Sequence, residues 1–203
     1  MDLFRPQPTE NLLPRDGVVN YHGPVLSPGE AERYFNVLRW EVPWRSDEVV
    51  LFGKRHITAR KVAWYGDGGL NYRYSGSTKT PLAWTGDLLA LKALAEELSG
   101  APCNSCLLNL YHSGAEGMGW HSDDESSLER EAPIVCLSLG AERNFRFRHR
   151  QLPLKAEISL EAGSLLVMRG ETQRHWQHTI PKMARVPGPR ISLTFRRIAG
   201  PQI

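Results

Sequence analysis

Cysteine is scarce in this chain, long apolar runs are absent, and neither sign of charge dominates. Three cysteines among 203 residues make an odd number, which argues against a disulfide scaffold. No apolar run approaches the ~18 residues that a membrane helix needs. The first ten residues, with an acid at position 2 and two prolines, lack the apolar stretch of a signal peptide. We therefore expect no membrane contact and a reducing compartment, which is the cytoplasm or, in a eukaryote, the nucleus.

The composition is that of one globular domain. Hydrophobic residues make up 41% and charged residues 23% of the chain, which is too apolar for a disordered protein. Lys and Arg number 25 against 22 Asp and Glu, so a polyanion would have to bind to a local basic patch. We predict a proline-rich N-terminal arm over residues 1–20 and a single domain over residues 21–203.

A Cys-x-x-Cys spacing occurs at Cys103 and Cys106. This spacing is used by zinc and redox sites, but no second pair accompanies it, because Cys136 stands alone. The preferred interpretation is that these are buried thiols leading into a strand.

Two helices are predicted in the first half of the chain. Ser27 and Glu30 have the spacing of a capping box, with Pro28 at the first helical position, and this helix should end before Pro43. The second helix is predicted from about Thr85 to Ser99, with Gly100 as its stop.

The rest of the chain has the texture of short strands. Strands and turns are predicted between residues 49 and 74, and further strands in CLLNLY, MGWHSD, IVCLSLG, NFRFRH, SLLVM, HWQHTI and RISLTFRR. Two early helices followed by many strands predict an α+β fold in which the helices cover one face of a β-sandwich.

A histidine and a carboxylate two residues apart, His121 and Asp123, would point to the same side of an extended segment. A distal histidine could complete two His and one carboxylate around a metal, which leaves coordination positions open for Fe(II) oxygen chemistry. His175 and His178 are both candidates. Taken alone, His-x-Asp is a weak signal, since surface His and Asp pairs are common.

The C-terminal strand places Arg190, Ser192 and Arg196 on one face, with apolar residues on the other. Arginine suits a bidentate grip on a carboxylate, so this face is typical of an anion site. The alternative is a solvated outer face. Asn109 and Tyr111 likewise share a face of their strand, and both could hydrogen-bond a small dicarboxylate. The alternative is an edge strand with one face exposed to solvent.

Together, LLNLYHSGAEGMGWHSDDE, RHWQHTIP and PRISLTFRRI resemble the AlkB family of Fe(II)- and 2-oxoglutarate-dependent nucleic-acid demethylases. The likeness continues upstream through LFGKRHITARKVAWYGDGGLNYRYSG, covers about residues 48 to 198, and is strongest with homologues that act on duplex DNA. It implies a double-stranded β-helix (jelly-roll) core, two N-terminal helices packed on one face, and a nucleotide-recognition hairpin lid over residues 48–76.

The resemblance also assigns roles to residues. The implied iron ligands are His121, Asp123 and His178. The implied 2-oxoglutarate contacts are Asn109, Tyr111, Arg190, Ser192 and Arg196. The implied contacts to the flipped base are Tyr72, Tyr74 and Asp124, and those to DNA are Phe52 as a wedge with Gly53, Lys54 and Arg55 beside it. One position departs from the family, which usually has Asn where this chain has Ser192, and the shorter hydroxyl puts the affinity for 2-oxoglutarate in doubt.

Two basic clusters could bind phosphates although the net charge is only +3. The first surrounds the predicted hairpin and comprises Lys54, Arg55, Arg60 and Lys61. The second, in RNFRFRHR, comprises Arg143, Arg146, Arg148, His149 and Arg150. Solvated strand faces are the alternative for both.

The implied function is direct repair of DNA. The enzyme would use Fe(II), 2-oxoglutarate and O₂ to remove methyl groups from 1-methyladenine and 3-methylcytosine, releasing formaldehyde, succinate and CO₂. A monomer acting on alkylated duplex and single-stranded DNA is expected. An oxygenase acting on RNA or protein is the main alternative. A zinc hydrolase could use the same three ligands, but it has no use for two arginines facing the metal.

Overall fold

Two antiparallel sheets form a β-sandwich, and two helices pack on one of them, as the sequence predicts. The computed structural model describes residues 7–51, 54–70, 72–74 and 77–199. Strands and helices are numbered in chain order. Among the described residues, no helix is both long and apolar enough to cross a membrane.

The larger sheet supplies the wall on which the predicted anion-binding residues lie. Among the described residues its strands, in spatial order, are β1 (Val18–Pro24), β11 (Ser164–Arg169), β8 (Ile134–Gly140), β13 (Arg190–Arg196), β6 (Ser105–Tyr111), β3 (Lys54–Gly66) and β2 (Arg45–Leu51). The strand β13 pairs with both β6 and β8, so the predicted arginine strand is central in the sheet.

The smaller sheet carries the histidines. Its strands, in spatial order, are β10 (Lys155–Leu160), β9 (Arg143–His149), β12 (Trp176–Ile180) and β7 (Met118–His121). A separate pair consists of β4 (Tyr72–Tyr74) and β5 (Ser77–Lys79). Strands β3 and β4 lie within residues 48–76, the segment predicted to be a lid, while β2 enters it and β5 follows it; the role of this segment as a lid stays a prediction.

The predicted helix caps are confirmed. Helix α1 spans Pro28–Glu41 behind a complete capping box of Ser27 and Glu30. Helix α2 spans Gly86–Ser99 and ends at Gly100, whose positive φ of 70° favours glycine. Both helices contact β8 of the larger sheet.

The core has two layers, because the larger sheet buries both of its faces. Alternate residues of the central strands, such as Leu137 of β8 and Leu193 of β13, pack under the helices. The other layer lies between the sheets, where Cys136 and Leu166 belong to the same cluster as Phe147 of β9. All three cysteines are free and buried, as expected.

Two elements differ from the sequence prediction. Strand β10 was not predicted, because KAEISL mixes charged and apolar residues in a short run. The segment RHWQHTIP was predicted as a strand throughout, but a helical turn, α3 (Thr172–His175), precedes β12.

Residues of the predicted N-terminal arm also pack on the sandwich: Leu13 is 2% exposed, and the Trp176 indole donates to the Arg15 carbonyl. The boundary at residue 20 stays a prediction.

Candidate active site

Strand pairing brings the predicted metal ligands together. His121 ends β7 and lies directly opposite His178 of β12, while Asp123 follows two residues later. The ligand atoms of these three residues lie within 4.8 Å of one another. Among the described residues, this is the one group of three or more His, Cys, Asp or Glu side chains with such geometry.

Local hydrogen bonds orient His121. Its Nδ1 is 2.8 Å from the Gly119 carbonyl, and because a carbonyl only accepts, Nδ1 carries the proton. The other nitrogen, Nε2, is then an unprotonated donor atom that faces Asp123, 3.9 Å from Oδ1. A backbone carbonyl on the far nitrogen is the usual way in which proteins fix a metal-binding imidazole.

The electrostatics of His178 and Asp123 favour the protonation states in which these side chains bind a metal. Burial lowers the pKa of the His178 imidazole to about 3, so this ring is neutral near pH 7. Burial opposes ionisation of Asp123, but the Arg196 guanidinium, 2.9 Å from its Oδ1, outweighs this and lowers the pKa of the carboxyl. A neutral imidazole at His178 and a carboxylate at Asp123 are the ligand states that suit Fe(II) with open positions.

The alternative histidine lies elsewhere. His175 is in α3, where its ring stacks on His149 at 5.9 Å and its Nε2 lies 3.4 Å from a Glu171 carboxylate oxygen. Of the two candidates, the structure brings only His178 to His121 and Asp123.

A buried, incompletely paired arginine lies on the wall facing this site. Arg190 is 1% exposed, which excludes the solvated outer face as an interpretation of β13. Its Nη2 donates to the Ser138 hydroxyl at 2.8 Å and the Ser192 hydroxyl at 3.4 Å. Its Nε and Nη1 have no partner among the described residues, and burial lowers its pKa. Because an unpaired buried cation is costly, this arrangement fits an anionic ligand.

The strand register collects the other predicted cosubstrate residues around Arg190. Tyr111 lies opposite Arg190, and Asn109 lies opposite Ser192. The Arg190 guanidinium is 5.6 Å from the centre of the Tyr111 ring, and the Asn109 Oδ1 is buried without a partner in the described chain. The Arg190 N–H groups, the Tyr111 hydroxyl and the Asn109 amide N–H₂ are donors from which a small dicarboxylate such as 2-oxoglutarate would accept hydrogen bonds.

Arg196 links the two halves of the site. Its Nη2 lies 2.9 Å from Asp123 Oδ1, and its Nη1 lies 3.3 Å from Glu125 Oε1. Its contact with the cosubstrate stays a prediction, whereas the structure shows that it pairs with the carboxylate ligand.

Sequence reasoning missed two residues that support the site. Ser138 accepts from Arg190, and its signal was a lone polar residue on the inner face of the apolar strand IVCLSLG. Gln173 accepts a 2.9 Å hydrogen bond from the Asp123 backbone N–H. It lies in the helical turn α3, which the sequence did not predict, so no signal for it was available.

The predicted nucleic-acid contacts are described in part. Tyr72 and Tyr74 lie in β4, and Lys54 and Arg55 begin β3. The Asp124 side chain is 60% exposed and pairs with Arg150 at 3.0 Å. Phe52 and Gly53 lie outside the described residues.

Both basic clusters need correction. Arg60 is buried, pairs with Asp47 and reaches Met118 Sδ at 2.8 Å, so it is a structural cation and not a surface one. Arg143 and His149 are also buried, because alternate residues of β9 point into the sandwich. The Arg143 Nη2 donates to two backbone carbonyls. The outward residues of the second cluster are Arg146, Arg148 and Arg150.

Comparison with known proteins agrees with this geometry. The family described as the 2OG-Fe(II) oxygenase superfamily matches residues 17–196. The mouse DNA oxidative demethylase ALKBH2 is 39% identical over 185 residues, which cover 86% of this chain and 77% of the relative. The human alpha-ketoglutarate-dependent dioxygenase alkB homolog 3 is 38% identical over 218 aligned positions, covering 97% of this chain and 76% of the relative.

Solved structures share the fold. The structure of OsALKBH1 superposes with a TM-score of 0.61 at 14% identity and covers 96% of this chain and 98% of that one. An oxidoreductase of the 2OG-Fe(II) oxygenase family from Burkholderia pseudomallei gives a TM-score of 0.58 at 16% identity, covering 89% of this chain and 84% of that one. At these identities the likeness establishes the sandwich architecture alone.

Proposed function

The chain belongs to the AlkB family within the 2OG-Fe(II) oxygenase superfamily, and on this premise we propose that it repairs alkylated DNA by demethylating 1-methyladenine and 3-methylcytosine. It is an AlkB-like oxidative demethylase of alkylated nucleic-acid bases that uses Fe(II) and 2-oxoglutarate. The choice of DNA and of these two lesions is the proposal. One support is that the mouse relative carries the name DNA oxidative demethylase.

The observation that carries the oxidative chemistry of the proposal is that a group of iron-binding side chains lies opposite a buried arginine whose N–H groups are not all paired among the described residues. His121, Asp123 and His178 supply the ligand atoms, and Arg190 offers two unpaired N–H groups from the opposing sheet. A zinc hydrolase would need the first group and not the second, because its nucleophile is a metal-bound water.

Each residue has a distinct part in the proposed reaction. Bound iron, together with 2-oxoglutarate and O₂, supplies the oxidising power that hydroxylates the N-methyl group, and formaldehyde, succinate and CO₂ are the products. Arg190, Asn109 and Tyr111 would orient the cosubstrate. Arg196 holds the Asp123 carboxylate in place. The protein thus supplies orientation and exclusion of side reactions, while the cofactors supply the difficult chemistry.

The substrate base must leave the duplex before it can reach this interior. The methyl group of 1-methyladenine or 3-methylcytosine lies on the pairing edge, so the base has to be flipped. A damaged base is already mispaired, which lowers the cost of flipping it. We propose Tyr74 and Tyr72 as the aromatic platform for the flipped base and Asp124 as the acceptor for its exocyclic amine.

The proposal is tested with oligonucleotides that each carry a single 1-methyladenine. Wild-type protein with Fe(II) and 2-oxoglutarate is incubated with the lesion in single-stranded DNA, duplex DNA and RNA of the same sequence, and formaldehyde is measured. We expect release from both DNA forms and none from unmethylated controls. Turnover on RNA with none on either DNA form would overturn the proposed substrate and leave the oxidative chemistry intact.

A further inference from the structure

The outer face of the smaller sheet carries two cations directly opposite each other. Lys155 of β10 and Arg148 of β9 are register partners, and Arg148 in turn lies opposite Gln177 of β12. Both cations are exposed. Like charges in directly opposed positions of neighbouring strands destabilise a sheet, and here the chain places no carboxylate against either of them among the described residues.

Arg148 is nevertheless held in one orientation. Its Nε and Nη2 donate to the Gln177 carboxamide oxygen at 3.0 and 2.8 Å, and its guanidinium carbon lies 4.5 Å from the centre of the Trp120 ring. Both partners are neutral, so the positive charge of Arg148 is not offset. Its Nη1 makes no hydrogen bond within the described part of the chain.

The neighbouring arginines on this face behave differently. Arg146 pairs with Glu157 at 2.6 Å, and Arg150 pairs with Asp124. The contrast shows that carboxylates pair with the arginines on either side of Arg148, while none of the described carboxylates pairs with Arg148 or Lys155. A phosphate between these two cations would remove their repulsion and accept from the ready-made guanidinium fork.

An exposed aromatic side chain completes the surface. Trp120 is 38% exposed and lies in the edge strand β7, one residue before the metal ligand His121. Neighbouring residues of a strand point to opposite faces, so Trp120 lies outside the sheet while His121 faces the interior. Exposed aromatic rings beside basic residues are the elements with which proteins hold nucleic-acid strands without reading their sequence.

We propose that Lys155, Arg148 and Trp120 form an outer platform for the nucleic-acid strand beyond the flipped nucleotide. One backbone phosphate lies between Lys155 and Arg148, and a nearby base or sugar packs on Trp120. The strand reaches this outer platform over the edge of β7, while the flipped base enters the sandwich on the other side. The inference rests on the proposed function, because it takes the partner to be the nucleic acid that bears the lesion.

The test is the binding of short fluorescein-labelled DNA without a lesion, followed by anisotropy at several salt concentrations. The logarithm of the binding constant falls linearly with the logarithm of the salt concentration, and each lost phosphate contact makes this slope shallower by about 0.9 on duplex DNA. Lys155→Gln combined with Arg148→Gln removes this one phosphate contact, so it should reduce the magnitude of the slope by about 0.9 and weaken binding about tenfold or more. Trp120→Ala should weaken binding to single strands by about fivefold or more.

Arg33→Gln is the matched control, because Arg33 is an exposed arginine on α1, which packs against the larger sheet. It removes one positive charge, as each of the two platform substitutions does, and should leave the salt slope unchanged. Thermal melting of every variant checks that the fold is intact. If wild-type protein binds DNA and the platform variants bind it with the same slope, the outer platform is wrong and the proposed function stands. If wild-type protein does not bind this lesion-free DNA, the outer platform is also wrong, whereas the proposed function fails only if 1-methyladenine DNA yields no formaldehyde.

Discussion

Replacing Arg190 with Met should separate the effect of this buried cation on protein stability from its effect on 2-oxoglutarate binding. Met has similar length, and it removes the two N–H groups that no residue of the described chain satisfies. Without 2-oxoglutarate the change removes an uncompensated buried charge, and replacement of such charges by apolar residues is often neutral or stabilising. We therefore expect the ligand-free variant to melt at the same temperature as wild type or higher.

The loss appears when 2-oxoglutarate is added. A charge-assisted hydrogen bond contributes about 1.5–3 kcal/mol, so losing two should raise the Kd by roughly a hundredfold or more. At a concentration of about 100 Kd, the cosubstrate stabilises wild-type protein by about 2.7 kcal/mol. This corresponds to a rise in Tm of about 5–11 °C for a domain of this size. At the same concentration the variant should gain about 1 °C.

The assay is thermal melting with Fe(II) in the absence of oxygen, with and without 2-oxoglutarate. Arg33→Gln serves as the control for loss of an arginine and should keep the full shift. A variant Arg190→Met that retains the wild-type shift would refute the assignment of Arg190 to the cosubstrate. A variant that melts many degrees lower without 2-oxoglutarate would show that the arginine is structural.

Three further predictions concern the metal ligands and the substrate. Gln173→Ala leaves the Asp123 N–H without its acceptor and should weaken metal binding about tenfold or more. Gln173→Glu keeps an acceptor oxygen and serves as the control. Anaerobic titration with Fe(II) measures the metal affinity of both variants, and equal affinities would exclude a positioning role for Gln173. In metal-free protein the pKa of His178 lies at about 3, below the ~6.5 of the unfolded chain. Because the unfolded chain takes up the proton first, the stability that the neutral ring contributes is complete above pH 6.5 and is lost as the pH falls from there towards 3. Between pH 7 and pH 5 the free energy of unfolding of wild-type protein, measured with urea, should thus fall by about 2 kcal/mol more than that of His178→Asn. Equal decreases in the two proteins would show that His178 is not buried as a neutral imidazole. Phe52→Ala should reduce kcat/KM strongly on methylated duplex DNA and slightly on the same single strand; equal losses with a lower Tm would mean that Phe52 is a core residue.

Much of the site could be predicted because strand geometry is simple. Two residues apart on a strand means one face, which is why His121 and Asp123, and likewise Arg190 and Ser192, could be grouped from sequence. The partner strand is harder, since spacing alone left both His175 and His178 open. The AlkB resemblance favoured His178, and the β7–β12 register places it opposite His121.

The features that the sequence did not predict depend on contacts between distant segments. The turn α3 has no side-chain cap, so nothing local marked it, and Gln173 was missed with it. Strand β10 was also missed, so Lys155 could not be placed opposite Arg148. The sequence showed that side chains alternate between the two faces of β9. Only the packing of the two sheets decides which face points inward, the one with Arg143 and His149 or the one with Arg146 and Arg148.

The most direct test of the account is a comparison of wild-type protein with Asp123→Ala on DNA bearing 1-methyladenine. The variant loses the one anionic ligand of the group that the structure assembles, while the β-core around Leu165, Val167 and Phe195 should remain folded. The account predicts one formaldehyde per repaired base for wild type with Fe(II) and 2-oxoglutarate, and none for a variant with unchanged far-UV circular dichroism. Substantial formaldehyde release by Asp123→Ala, or better turnover with zinc than with Fe(II), would contradict it.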